Sequence, residues 1–261
     1  MSQATQIFDS RAVSIHRARA FKGILDPHFL YQEIDSRLQD RKEDIRRSFD
    51  RIVTLSASDS EDVVNRALRL EDQSADLIIS NSTLHWVDDL PKLLLKIRSI
   101  LLPNGVFLAA FPGGETLQEL RQSLVEAESN LKGGSSPRVS PFVDLADAAA
   151  LLQRVGFAMP VADVDRITVT YENIFTLMKD LRCMGETNSL IARRRQFSRR
   201  DVFLEADKIY REKFSNKKGG IRVTFEILFL IGWAPHHSQP RPLRPGSAEG
   251  SLADFLRVKK N

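Results

Sequence analysis

The sequence predicts an α/β protein with a doubly wound, mostly parallel sheet. Three observations predict it. Short apolar runs rich in β-branched residues alternate with segments of helical periodicity. Two of those runs, Asp76–Ser80 and Val106–Phe111, are almost continuously apolar, as parallel strands covered on both faces are. The last β-prone run, Val223–Ile231, returns only after a long helical stretch, and it is expected to run antiparallel.

The elements follow in order. Residues 1–48 read as an N-terminal helical segment. Within it Glu33–Arg46 spaces Ile34, Leu38 and Ile45 as a mostly exposed helix would. Phe49–Leu55 reads as a strand and Ser56–Ser60 as a polar turn. Ser60 and Asp62 then mark the start of a short helix through Leu68. After strand Asp76–Ser80, helix Asp89–Leu102 repeats Leu90, Leu93, Leu94, Ile97, Ile100 and Leu101 at helical spacing, and Pro103-Asn104-Gly105 stops it. Strand Val106–Phe111 breaks at Gly113-Gly114. Helix Glu115–Ser129, a Gly/Ser/Pro loop over Lys132–Pro141, helix Leu145–Val155 and strand Val161–Val169 follow. Phe175–Met184 and Asp201–Phe214 are helices of an insertion spanning about 174–215. The sheet-bearing domain covers 49–234, and 235–261 is a Pro-rich tail.

Composition narrows the function. The chain has 261 residues and is 42% hydrophobic, enough for a sizeable core. One cysteine, Cys183, rules out an internal disulfide or a cysteine-based zinc site. The five histidines are scattered without metal-ligand spacing, so no metal is expected. No apolar run nears the roughly 18 residues that read as a membrane span. The net charge is only +4, and the basic run Arg193–Arg195 with Arg199 and Arg200 reads as a solvated helix end or a docking site for an acidic partner. Nucleic acid is not the expected partner, because no recognition motif accompanies that run. The charged start argues against a secretory signal, and the short N-terminus favours a bacterial cytoplasm over the mitochondrial matrix. Basic Arg11–Lys22 reads as a soluble N-terminal helix, the alternative being a remnant targeting helix.

The stretch from Asp76 to Phe111 carries a resemblance. A strand opens with Asp76 and ends on polar Ser80-Asn81, His85-Trp86 follow, and a helix closes with Leu101-Leu102-Pro103-Asn104-Gly105 before the next strand. This resembles the middle of an S-adenosylmethionine-dependent methyltransferase of Rossmann-like fold. Further blocks resemble one family more closely: Ile7-Phe8-Asp9, Pro112–Leu117, Gly134–Phe142, Met184–Asn188, Ala206–Phe214 and His236–Pro242. It is the methyltransferase-like family of the complex I assembly factor that hydroxylates an arginine of a complex I subunit, with its bacterial relatives. The resemblance runs from Phe8 to Ala248 except for roughly Val53–Arg69. It implies S-adenosylmethionine as cofactor and a protein substrate, a complex I-type subunit.

The exception is informative. Family members carry a glycine-rich loop after the first strand, whereas no glycine lies between Gly23 and Gly105 here. Only 26 residues, positions 50 to 75, separate Phe49 from Asp76. One βαβ unit needs about 30. The first βαβ unit is therefore truncated, and Ile52–Leu55 is the remnant of the first or the second strand. The alternative reading is a cofactor-free assembly or binding protein.

Candidate site residues follow from position and resemblance. Ser80, Asn81, His85 and Trp86 stand at the carboxyl end of a parallel strand, where ligands sit in such sheets. The structural alternative makes Trp86 core and His85 a cap. Asn65 aligns with the family's adenine-contacting acidic pair, and Asp59 or Glu61 stand where a ribose-binding acid is expected. Asp88 and Asp89 read as helix caps or as substrate-facing carboxylates. Glu115, Arg138, Glu186 and Asn188 are candidates for substrate or partner contact. No catalytic base is identifiable. His85→Ala is expected to leave folding intact and weaken binding.

Overall fold

A computed structural model gives the fold and describes residues 6–22, 28–56, 63–217 and 219–240. Helices α1 (Ser10–Phe21) and α2 (Phe29–Asp44) precede strand β1 (Ile52–Ser56) and helix α3 (Val63–Arg69). Strand β2 (Ala75–Asn81), a 3-10 turn at Leu84–Trp86, helix α4 (Leu90–Ile100) and strand β3 (Leu101–Pro112) form the central unit. Then come α5 (Gln118–Lys132), α6 (Leu145–Val155), β4 (Ala158–Tyr171), α7 (Ile174–Met184), α8 (Arg200–Phe214) and β5 (Ile221–Trp233).

Among the described residues one five-stranded sheet runs in the order β1-β2-β3-β5-β4. β1, β2 and β3 are parallel, and β5 is antiparallel to both β3 and β4. The mostly parallel α/β class and the antiparallel last strand agree with the sequence. β1 lies directly beside β2. In a doubly wound sheet of order 3-2-1-4-5-6 that is the place of the first strand, so Ile52–Leu55 is the first strand's remnant. The pairing is pinned by Asp76, whose carboxylate accepts the Asp50 and Arg51 N–H groups at 2.7 and 3.0 Å.

The apolar strands serve two cores because alternate side chains point to opposite faces. Leu77, Ile79, Leu108 and Ala110 meet α2, α5, α7 and α8 on one face. Ile78, Phe107, Ala109 and Phe111 meet α3, α4 and α6 on the other. Phe107 stacks on Phe157 there, with ring centroids 5.6 Å apart.

Three expectations need correction. The helix expected to be mostly exposed is not: Leu30, Tyr31, Ile34 and Leu38 of α2 are buried in the main core. The helix starts at Phe29 rather than Glu33, and the added turn completes the apolar stripe that the shorter reading left thin. Pro103-Asn104-Gly105 does not stop α4, which ends at Ile100. It forms a bulge within β3, where the register jumps between the Ala75 and Leu77 pairings and Asn104 takes φ +64°. The expected helix start at Ser60 and Asp62 lies outside the described residues, as does the tail beyond Pro240.

Candidate functional site

The carboxyl ends of β1 and β2 open onto a cavity of about 860 Å³. α1 forms one wall, α3 the second, and the Thr83–Leu93 segment the third. Such a crevice is where open α/β sheets place ligands, and its size suits a small-molecule site. Asn65 and Trp86 line it, together with Phe8, Thr83 and Asp88.

The chain reaches this edge through a kink. Ser82 adopts φ +54°, a left-handed conformation that costs a residue with a Cβ about 1 kcal/mol. Its N–H donates to the Ala110 carbonyl at 2.8 Å, and its hydroxyl donates to Asn81 Oδ1 at 2.9 Å. Ser80, fully buried, shares a 2.7 Å hydrogen bond with Thr83. Asn81 donates weakly to Asp35 at 3.4 Å. Ser80 and Asn81 therefore shape the strand end from behind and are not among the lining residues.

His85 is also behind the wall. Its side chain is 2% exposed and its Nε2 lies 3.1 Å from Glu186 Oε2. Glu186 accepts as well from the Tyr31 hydroxyl at 3.0 Å and from the Trp86 indole N–H at 3.4 Å. Burial pushes the Glu186 carboxyl up. The His85 charge and hydrogen bond, the Arg17 charge and the Tyr31 hydroxyl outweigh it, and the group sits below its ordinary value. Burial and the neighbouring Glu186 carboxylate raise the Tyr31 phenol well above its own. Residues 31, 85, 86 and 186 thus form one buried polar cluster that fixes the Trp86 ring. Truncating His85 would remove one of the three side chains bonded to the buried Glu186 carboxylate, so His85→Ala is expected to destabilise the fold, contrary to the reading from sequence.

Phe8 packs edge-on against Trp86 with centroids 5.2 Å apart. The Ile7-Phe8-Asp9 motif is held in place by Asp88, whose Oδ1 accepts the Ile7 and Phe8 N–H groups at 2.9 and 3.1 Å. Asp9 caps α1 through the Ala12 N–H and pairs with Arg193 at 2.7 Å. Asp89 caps α4 through the Lys92 N–H. Capping and anchoring thus account for both Asp88 and Asp89.

The remaining candidates lie elsewhere. Arg138 makes a bidentate contact with Glu128, which is 3% exposed, at 2.8 and 3.2 Å, so its guanidinium is committed inside the protein. Glu115 pairs on the surface with Arg166 at 2.9 Å. Asn188 staples two loops, donating to the Pro137 carbonyl and accepting from the Leu190 N–H. Asp59 and Glu61 lie outside the described residues. Among the described residues no group of His, Cys, Asp or Glu is arranged to hold a metal ion, and no helix is long and apolar enough to cross a membrane.

Sequence reasoning missed Tyr31 and Arg17. Arg17 lies on the cavity wall, and its signal was present in the helical spacing of Ser10, Ser14, Arg17 and Phe21 along one face of α1. Tyr31 had none, because its partner Glu186 is 155 residues away.

Comparisons with known proteins place this architecture. The family profile described as a methyltransferase domain matches residues 35–109. Arginine-hydroxylase NDUFAF5, mitochondrial, of Dictyostelium discoideum is 46% identical over 187 residues, 71% of this chain and 43% of that protein. The Danio rerio protein of the same name is 42% identical over 193 residues, 74% of this chain and 60% of that protein. A malonyl-[acyl-carrier protein] O-methyltransferase of Xylella fastidiosa is 34% identical over 170 residues, 65% of this chain and 55% of that protein. The chain spans about half the length of these relatives. Over its matched residues the chain is similar to S-adenosylmethionine methyltransferase-like proteins of the NDUFAF5 type.

Proposed function

We propose that this chain binds S-adenosylmethionine in the cavity at the carboxyl ends of β1 and β2 and modifies an arginine of a protein substrate, a complex I-type subunit. The observation that carries the reading is the cavity itself. It opens at the crevice where this fold binds ligands, and Asn65 and Trp86, two residues expected at the cofactor, line it. Asn65, Thr83 and Trp86 would hold the nucleoside portion: an amide and a hydroxyl for polar edges, an indole for a flat ring. When bound, the cofactor supplies a sulfonium with a transferable methyl group. The chain's own part is orientation and exclusion of water. The polar cluster behind Trp86 keeps the ring in place, and Phe8 closes its edge.

The names of the arginine-hydroxylase relatives support hydroxylation rather than methyl transfer, and they support a mitochondrial compartment. The test has two parts. Calorimetry with S-adenosylmethionine should show saturable binding. Incubation with an arginine peptide from the substrate subunit, with dioxygen as oxygen source and a two-electron reductant added so that the second oxygen leaves as water, should give a product heavier by one oxygen. A gain of one methylene would instead make the chain a methyltransferase.

One observation favours the second reading, a cofactor-free assembly protein. No glycine follows β1 before Gly105, so the turn that lets a backbone close on the cofactor lacks its usual residue. Absence of calorimetric heat and of any thermal shift at millimolar cofactor would establish that reading.

A further inference from the structure

The charge of the cavity wall is lopsided. Among the described residues, the charged ones that line it are Arg11, Arg17, Lys22 and Lys92 against Asp88 and Asp89. The two carboxylates are occupied, Asp88 by the Ile7 and Phe8 N–H groups and Asp89 by the Lys92 N–H. None of the four cations lies within ion-pair distance of a carboxylate among the described residues. Arg17 is the one basic side chain of α1 that both lines the cavity and is not fully exposed, among the described residues. It is half-buried and makes one long hydrogen bond, 3.4 Å, to the Ser82 carbonyl at the strand-end kink. A guanidinium carries five N–H donors, so most of its capacity is uncommitted.

The position of Arg17 is as notable as its charge. α1 is fixed against α7 at Gly185, where an added Cβ would meet the Arg17 Cα at 3.3 Å. Its other end is fixed by the Asp9 cap and the Asp9–Arg193 pair. A cation on an element held at both ends is preorganised, and Arg pairs with carboxylates in a two-point fork.

We infer that Arg17, with its neighbouring cations on the cavity wall, anchors the carboxylate of the cofactor's amino-acid moiety, the role a glycine-rich turn plays where one is present. This rests on the cofactor reading above, and the experiment separates the two. Titration calorimetry on the full chain would compare S-adenosylmethionine with its decarboxylated form, which keeps the nucleoside and sulfonium. The natural form should bind the wild type roughly ten-fold tighter or more, the size of a charge-assisted contact. Arg17→Met should bring the two ligands to nearly equal affinity, and Arg17→Lys should restore part of the difference. The wild-type comparison needs no variant, so a poorly folding Arg17→Met leaves the test intact. Equal affinities in the wild type, or undiminished discrimination in a folded Arg17→Met, would overturn the anchor while leaving the cofactor reading in place. Failure of both ligands to bind would instead overturn the cofactor reading on which the anchor rests.

Discussion

The imidazole of His85 and the carboxylate of Glu186 meet 3.1 Å apart inside the protein, although 101 residues separate them in sequence. The pair joins the strand-end turn to the loop after α7, and Trp86 and Tyr31 bond to the same carboxylate. Removing His85 takes one hydrogen-bond partner from a buried carboxylate, which costs about 1–3 kcal/mol. His85→Ala should therefore lower the urea midpoint markedly and shift Trp86 emission. Unchanged stability with weakened ligand binding would return His85 to the ligand-contacting role.

The Glu128–Arg138 pair gives the clearest pH dependence. The bidentate Arg138 contact holds the Glu128 carboxyl far below its ordinary 4.5, against burial that raises it, with the Ser136 N–H and hydroxyl assisting. A carboxyl depressed in the folded state stabilises fully above its unfolded value. That contribution is lost as pH falls through 4.5 toward the folded value. Denaturation midpoints between pH 6 and pH 3 should fall steeply in the wild type, and Glu128→Gln should flatten part of that slope. Arg138→Met should cost about 3–5 kcal/mol at neutral pH. A loss confined to substrate binding would reinstate Arg138 as a ligand residue.

Asp76 opens its strand for a structural reason. Its carboxylate accepts two backbone N–H groups at the entry to β1, and each such bond to a charged group contributes about 1.5–3 kcal/mol. Asp76→Ala should loosen β1 selectively. Hydrogen exchange should accelerate over residues 50–56 while β3 and β5 stay protected. Uniform acceleration across the sheet would contradict this.

Gly185 meets two demands at once. It takes φ +83° as the cap of α7, and an added Cβ would stand 3.2 Å from the Ala20 Cβ of α1. Gly185→Ala should cost about 1–3 kcal/mol and should speed proteolysis within α1. An equal loss with α1 still protected would assign the whole effect to the backbone conformation of the cap.

Much of this protein was legible in its sequence. Periodicity marks α4, α6, α7, α8 and the buried strands β2 and β3, because each buries a face whose spacing is local. The missing glycines and the short Phe49–Asp76 interval foretell a truncated first unit, because chain length limits what can be built. Only the tertiary structure decided the rest. It assigned Ile52–Ser56 to the first strand's place through pairing with β2. It drew α2 into the core and turned Arg138 inward to Glu128. It joined Tyr31, His85 and Glu186 across more than 100 residues, and it brought α1 over the cavity. Local spacing cannot encode these relationships, because which polar groups become partners depends on which surfaces lose their water together.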